Sequence, residues 1–400
     1  MNSPNAMIAR LSILALLSLT ACRPHDFPQY PSNYREYAYV TNGDSNTVTV
    51  LDVVDVRVER ELAVGQKPVA VAASPTRNEV YVVNSGAADG QGSLSVINSE
   101  NNSVAGIIHV HRLPVSIEID STGDLAYVAN SGSNSVSVLD LKARREITAI
   151  GTGEEPAAAR LSPDNKTLVV ANRRGNSVSL IDPETRRVRA IFTGCPGASD
   201  AVILPDSSKA FVPCSAGHQI MAIALAHAEV RPTQPVNAQV IPARPDRLEA
   251  LLDVGNAPMQ LALKPDGGEL FALNSLSNSI SEIITTTDDV NSYTIIGDTP
   301  VRGLVSADNS MLYVANFRSQ YATVYAIDEG QRLPANQGGS IRVGDGSSAL
   351  AFSSSGLLLF VVDSRSGDVA VVRTASRSFF TLLPAGRAPN AIAVKAFNLP

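Results

Sequence analysis

The chain has 400 residues, of which 44% are hydrophobic and 18% are charged, and its formal net charge is -6. This is enough apolar material for a large core, so disorder over most of the chain is excluded. Phosphate contacts need clustered Lys and Arg, and a mildly acidic chain without a basic run is a poor candidate for them. We therefore expect no nucleic-acid partner.

The first residues predict export. Arg10 precedes the apolar run 11–19, which is too short to span a bilayer and has the length of a signal-peptide core. The tetrapeptide Leu-Thr-Ala-Cys at 19–22 resembles the lipobox of bacterial lipoproteins. The resemblance implies that residues 1–21 are a signal peptide, that Cys22 carries the lipid, and that the lipid anchors the protein to the membrane of the cell envelope.

Residues 22–35 predict a flexible tether, because Pro24, Pro28 and Pro31 lie among polar residues. Arg23, not Asp, would follow the lipidated cysteine. In the lipoproteins that this segment resembles, that favours the outer membrane, with the protein facing the periplasm or the cell surface. Inner and outer membrane both remain open. We place the folded domain at residues 36–400.

A four-residue motif recurs eight times along the folded domain, for example as Tyr-Val-Thr-Asn at 39–42. Six copies end in asparagine: Asn42, Asn84, Asn130, Asn172, Asn274 and Asn316. Two degenerate copies end at Cys214 and Asp363, and successive copies are about 42, 46, 42, 42, 60, 42 and 47 residues apart. This period suits a β-propeller blade of four strands.

Each repeat reads as four short strands separated by turns, with no competing helical period. A proline opens the first strand, the motif forms an almost wholly apolar second strand, Ser and Val alternate in the third, and glycine follows the fourth. These motifs resemble the YVTN family of β-propellers over about residues 37–397. The resemblance implies an all-β propeller fold but no particular function, since such propellers serve in surface layers, in binding proteins and in parts of redox enzymes.

Eight second strands predict eight blades, although familiar members of the family have seven, and seven remains the alternative. The first repeat lacks a first strand, and residues 389–394 supply a lone first strand at the other end of the chain. Joining the two would complete one blade and close the ring, which removes exposed sheet edges.

The motif asparagines are expected to be structural, bonding to the backbone of the loop that follows, since they recur whatever their context. Cys195 and Cys214 are the cysteines left if Cys22 carries lipid. Propeller topology puts both on the same rim, and an exported protein keeps its disulfides, so a Cys195–Cys214 bridge is predicted. The alternative is two buried free thiols.

The sequence identifies no catalytic, cofactor-binding or metal site. Motifs for c-type haem, zinc hydrolases, nucleophile elbows and phosphate loops are absent. His109 and His111 share one face of a strand but have no third ligand, and His218 reads as a loop residue. The chain has no Trp, which disfavours quinone-cofactor and WD-type propellers. A proline-rich insertion between Leu225 and Leu248 is either a tolerated loop or a binding segment.

Two functional classes remain. The first is a non-catalytic binding module of the cell envelope, a monomer whose rim contacts an unknown protein, polymer or small ligand. The alternative is an enzyme resembling propeller lactonases or the d1-haem domain of nitrite reductases. An enzyme should place at least three converging ionisable side chains at a mouth of the central channel. The first strands present mainly Val, Ala, Ile and Leu, and no such set is identified, which favours the binding module.

Overall fold

The computed structural model describes residues 30–87, 90–226, 245–328, 330–334, 337 and 339–399. The predicted signal peptide, the lipid site Cys22, most of the predicted tether and most of the proline-rich insertion lie outside these residues. Among the residues described, no helix has the length and apolar character needed to cross a membrane.

Apart from one 3-10 turn at Ser131–Ser133, the regular elements of the described chain are β-strands. The strands of blades 1 to 4 are β1 (Tyr34–Asn42), β2 (Thr47–Asp52), β3 (Arg57–Ala63); β4 (Pro68–Ala73), β5 (Glu79–Asn84), β6 (Gln91–Asn98), β7 (Ser103–Arg112); β8 (Pro114–Ile119), β9 (Leu125–Asn130), β10 (Ser135–Asp140), β11 (Arg145–Gly151); β12 (Pro156–Leu161), β13 (Leu168–Asn172), β14 (Ser177–Asp182) and β15 (Arg187–Thr193).

The strands of blades 5 to 8 are β16 (Val202–Ile203), β17 (Lys209–Cys214), β18 (Gln219–Ala224), β19 (Arg247–Asp253); β20 (Pro258–Leu263), β21 (Glu269–Asn274), β22 (Ser279–Ile284), β23 (Asp289–Ile295); β24 (Pro300–Val305), β25 (Met311–Asn316), β26 (Tyr321–Ala326), β27 (Gln331–Arg332), β28 (Ser340–Arg342); β29 (Ser347–Phe352), β30 (Leu358–Asp363), β31 (Asp368–Arg373) and β32 (Ser378–Pro384). The last strand, β33 (Pro389–Asn398), returns to blade 1.

The eight sheets confirm the eight-bladed propeller, and the seven-bladed alternative is wrong. In each sheet the strands follow one another from the inner strand outwards, and in blade 7 β27 and β28 share the outermost position beside β26. Each inner strand contacts the inner strand of the next blade, and the series of contacts returns through β29, β33 and β4. These contacts close the ring.

Strand β33 completes blade 1 as predicted, pairing antiparallel with β1 from Tyr34↔Asn398 to Asn42↔Pro389. Its pairing also shows that β1 begins at Tyr34, two residues before the domain start placed at residue 36. Both edges of β1 are therefore hydrogen-bonded, and β33 takes the inner position of blade 1.

The second strands are apolar because both of their faces are covered. All five residues of β13 are buried, and the core between blades 4 and 5 packs Val169 and Leu180 against Val212 and Ile223. A strand buried on both faces reads as a continuous apolar run rather than an alternating one.

The motif asparagines are buried as structural residues, but their partners differ from those expected. Asn130 Nδ2 donates to the hydroxyls of Ser135 and Ser137 on the third strand, at 3.4 and 2.9 Å. Comparable contacts recur at Asn42, Asn84, Asn172, Asn274 and Asn316. The expectation of bonds to the following loop was wrong, because the strand that pairs with the motif strand presents hydroxyls within closer reach.

A second asparagine, four residues further on, holds the loop backbone instead. Asn134 and Asn176 adopt positive φ angles of 50° and 47°, a conformation that asparagine tolerates well. Their Oδ1 atoms accept hydrogen bonds from the backbone N–H groups of Glu155 and Gly197, which lead into the next blade. Each such contact ties one blade to its successor on the rim where the inner strands begin.

Blade 5 departs from this scheme. A disulfide joins Cys195 and Cys214, with the sulfurs 2.15 Å apart. The inner strand β16 has only two residues, against six in most other blades. The segment before it pairs with the second strand through an isolated antiparallel β-bridge between Ala198 and Cys214. This segment carries Ser199 and Asp200 to the wall of the central channel.

Candidate functional site at the mouth of the central channel

The central channel opens into a cavity of about 650 Å³ at the end where the inner strands begin. We call this end the channel mouth. All eight blades contribute to its wall, which combines polar and apolar residues; its larger apolar residues include Val69, Val115, Ile117, Met259, Leu350 and Ile392.

One layer of this wall consists of the third residue of each inner strand. On the second strand, its pairing partner is the residue just before the last residue of the motif. The layer is Ala70, Ser116, Ala158, Asp200, Gln260, Arg302, Ala349 and Ala391. Asp200 precedes the short strand β16, and continuing the β16–β17 register places it opposite Pro213, the residue before Cys214. Half of the layer is alanine, so its polar members stand out as departures from the repeat.

Two polar members of the layer bind the neighbouring blade. Ser116 Oγ accepts a hydrogen bond from the N–H of Ala159 at 3.3 Å, and Gln260 Oε1 accepts one from the N–H of Gly303 at 2.7 Å. These side chains fasten adjacent inner strands, and their hydrogen bonds are used within the ring.

Asp200 takes part in a charged cluster with residues two positions deeper on the inner strands. Arg160 Nη2 lies 2.8 Å from Asp200 Oδ1, and Arg160 Nη1 lies 3.8 Å from Glu118 Oε2. The three side chains come from blades 3, 4 and 5, and each is at most about one third exposed. The arginine therefore links three consecutive blades through the channel wall.

Burial, opposed by the Arg160 guanidinium and reinforced by the Asp200 carboxylate, raises the pKa of Glu118 to about 7. Asp200 in turn raises the pKa of Arg160, which stays charged. Near neutral pH, Glu118 is thus a carboxyl group able to release or take up a proton beside a fixed positive charge.

Two further arginines line the channel mouth. Arg173 Nη1 lies 3.8 Å from Glu155 Oε1, a loose and exposed ion pair. Arg302 is exposed in the cavity, and within the described part of the chain it has neither a hydrogen-bond nor an ion-pair partner. Blade 7, which carries Arg302, stands opposite blade 3 in the ring order.

The charged cluster corrects the sequence analysis, which identified no converging set at the channel. Each member comes from a different blade and replaces a small or apolar residue of the repeat, so no local motif marks it. Aligning the inner strands on their first residue and inspecting the third and fifth positions would have found Glu118, Arg160 and Arg302; Asp200 precedes the short strand β16 and would have been missed.

The lone histidines do not join this site. His111 Nε2 lies 3.3 Å from Glu146 of the next blade, and His218 Nε2 lies 3.8 Å from Asp253 with both side chains exposed. Over the described residues, no group of three or more His, Cys, Asp or Glu side chains is arranged to hold a metal ion.

Comparison with known proteins supports the fold. Residues 115–224, which span β8 to β18, match the family model described as YNCE-like beta-propeller. No curated protein matches the chain in sequence.

Among solved structures, the dihydro-heme d1 dehydrogenase NirN in complex with DHE superposes with a TM-score of 0.69 at 16% identity, covering 94% of this chain and 78% of its own. Apo AztD from Citrobacter koseri gives 0.61 at 15% identity, covering 91% and 98%. Hydrazine synthase from Kuenenia stuttgartiensis gives 0.57 at 18% identity, covering 77% and 96%. At sequence identities this low, the similarity supports the fold alone. The chain is thus an eight-bladed β-propeller that resembles the YNCE-like propellers through its third, fourth and fifth blades.

Proposed function

We propose that the protein is a binding module whose ligand site is the channel mouth. The observation that carries the proposal is the cavity there, whose wall is drawn from all eight blades and combines apolar side chains with polar and ionisable groups. Its volume of about 650 Å³ falls within the range of about 300–1,000 Å³ that small-molecule sites occupy. The surrounding blades interlock, so the site is pre-formed, which lowers the entropic cost of binding.

We propose further that the module works outside the cytoplasm, as a monomer anchored through lipid on Cys22. The lipobox-like segment supports the anchor, and the Cys195–Cys214 bridge suits an oxidising compartment. Radiolabelled palmitate fed to the native host should label the protein, and Cys22→Ser should abolish the label. Equal labelling of the variant would reject the anchor.

The ligand site is tested by filling it. Ala391 is a half-buried member of the wall layer, and a phenylalanine there would occupy the cavity. Protein purified from its native host should release a small molecule on denaturation, detected by mass spectrometry. Ala391→Phe should release much less of it. The matched control is Ala307→Phe, at an exposed residue on the opposite rim. Equal release from both variants would place the ligand elsewhere.

Catalysis is the second candidate, and the convergence of Glu118, Arg160 and Asp200 is what favours it. Of the three, Arg160 and Asp200 line the cavity, whereas Glu118 lies deeper on its strand, so the set of three expected of an enzyme is not complete at the channel mouth. A carboxyl group with a pKa of about 7 suits general acid–base chemistry at neutral pH. Hydrolysis of the lactone dihydrocoumarin tests it: Glu118→Gln should remove any rate above that of buffer. A rate equal to that of buffer in the unmodified protein counts against lactone hydrolysis.

A further inference from the structure

Arg302 differs from every other polar residue in its layer of the channel wall. Ser116 and Gln260 bind the backbone of the next blade, and Asp200 is paired with Arg160. The remaining members are alanines. Within the described residues, Arg302 alone in this layer projects a polar group into the cavity without a partner.

The other arginines of the wall already have carboxylate partners. Arg160 faces two carboxylates, and Arg173 stands beside Glu155. The chain as a whole carries a net charge of -6, so acidic residues are in excess. A guanidinium left without one of them, in a concave site with apolar side chains around it, is suited to a partner that arrives with the ligand.

On the blade 7 side of the mouth, Arg302 is the arginine that lines the cavity. Phe317, on the next loop of the same blade, also lines the cavity. The guanidinium of Arg365 lies 4.5 Å from the Phe317 ring centroid, but it is paired with Asp345 at 3.8 Å and adds no unpaired charge. The carboxylates of the charged cluster lie on blades 3 and 5 instead, across the mouth from Arg302.

We propose that the channel mouth takes an organic anion with an apolar body, and that Arg302 binds the anionic group. This rests on the proposed function, since it requires the mouth to be the ligand site. The guanidinium offers a fork of donors that fits a carboxylate or a sulfonate. The Val, Ile, Leu and Met side chains of the remaining wall cover the body of the ligand.

Two matched probes separate charge from apolar shape. Anilinonaphthalene sulfonate is an apolar anion, and N-phenylnaphthylamine has the same aromatic rings without the sulfonate. Both become fluorescent on leaving water, and the chain has no Trp whose emission would interfere. Titration of each probe into the intact protein gives its dissociation constant. The variants are Arg302→Gln and, as control, Arg173→Gln in the same cavity.

The expected result is selective. Arg302→Gln should weaken binding of the sulfonate about tenfold or more, because a hydrogen bond to a charged group is lost. It should leave binding of the neutral probe within about twofold, whereas Arg173→Gln should change neither probe by more than that, as is usual for exposed ion pairs. Ala391→Phe should abolish binding of both probes. Both glutamine variants must melt at the wild-type temperature, which the exposure of the two arginines allows.

Three outcomes would overturn part of the account. If both probes bind the mouth and Arg302→Gln weakens neither, or weakens both equally, Arg302 does not bind the anionic group. The channel mouth would still be a ligand site. If Ala391→Phe leaves sulfonate binding unchanged, the probe sits elsewhere and the Arg302 assignment fails. If neither probe binds the wild-type protein, the proposed function itself is contradicted.

Discussion

At the scale of single residues, Arg160 stabilises the ring through two carboxylates from flanking blades. Replacing it by methionine keeps the apolar stem but leaves Asp200 without its counter-charge. We expect Arg160→Met to lower the free energy of unfolding by about 2 kcal/mol, since the remaining charge is poorly solvated. Chemical denaturation measures it. In Arg160→Met/Asp200→Asn the loss should be smaller; equal losses in single and double variants would show that the ion pair is not the cause.

Asp363 is the motif residue of blade 8 and stands where six other blades have asparagine. It is fully buried, accepting hydrogen bonds from Ser347 Oγ at 2.6 Å and from the N–H of Gly344 at 2.9 Å. Burial raises its pKa to about 7; the two hydrogen bonds oppose this rise, and the nearby Asp368 reinforces it. The native state therefore holds a proton, between about pH 4 and 7, that the unfolded chain has released, so stability falls as pH rises through that window.

Asp363→Asn should remove much of this pH dependence. We expect equal melting temperatures at about pH 3, where the aspartate is protonated in the native and the unfolded state. At pH 8 we expect the variant to be more stable by about 4 kcal/mol. Thermal melts at the two pH values decide it. Because the pKa of Glu118 is also about 7, the stability of the variant should still fall somewhat as pH rises. A variant less stable than wild type at pH 8 would contradict the assignment.

At the scale of elements, the disulfide replaces a contact that other blades make without a covalent bond. In blades 4 and 6 a glycine lies so close to the motif asparagine that an added Cβ would stand 2.7 Å from its Cγ, as at Gly153 with Asn172 and Gly255 with Asn274. Cys195 and Cys214 occupy these two positions in blade 5. The bridge thus anchors the irregular segment that brings Asp200 to Arg160.

Removing the bridge should loosen blade 5 in particular. We expect Cys195→Ser/Cys214→Ser to lower the free energy of unfolding by about 3 kcal/mol, the usual effect of a bridge closing a loop of this size. Treatment with dithiothreitol is the control: it should lower the melting temperature of the wild type and leave the double variant unchanged. Thiol titration of the denatured, unreduced soluble form, which begins at Arg23, should find no reactive group. Two reactive groups would reject the bridge.

At the scale of the whole molecule, the last strand closes the ring. Strand β33 pairs with β1 and contacts the inner strands β4 and β29. Deleting residues 389–400 should expose both an inner sheet edge and the core of blade 1, and so sharply lower the melting temperature. Removal of Pro400 alone serves as control. An unchanged melting temperature on deleting the whole strand would contradict closure.

Much of this architecture is readable in the sequence, because a blade cannot bury its faces alone and its apolar strands must recur with each repeat. The eight motif copies, from the one that ends at Asn42 to the one that ends at Asp363, predict the number of blades. The lone strand at 389–394 predicts closure of the ring. The channel site is not readable in the same way. Whether Arg160 and Arg302 are paired or unpaired depends on the side chains that neighbouring blades place beside them, and this is determined only in the assembled ring.

The most direct test of the channel mouth as a ligand site is a crystal structure of the soluble form, starting at Arg23, with anilinonaphthalene sulfonate bound. The account predicts the aromatic rings against the apolar wall and the sulfonate within hydrogen-bonding distance of the Arg302 guanidinium. A probe bound on an outer strand or on the opposite rim, with the channel mouth filled by solvent alone, would contradict it.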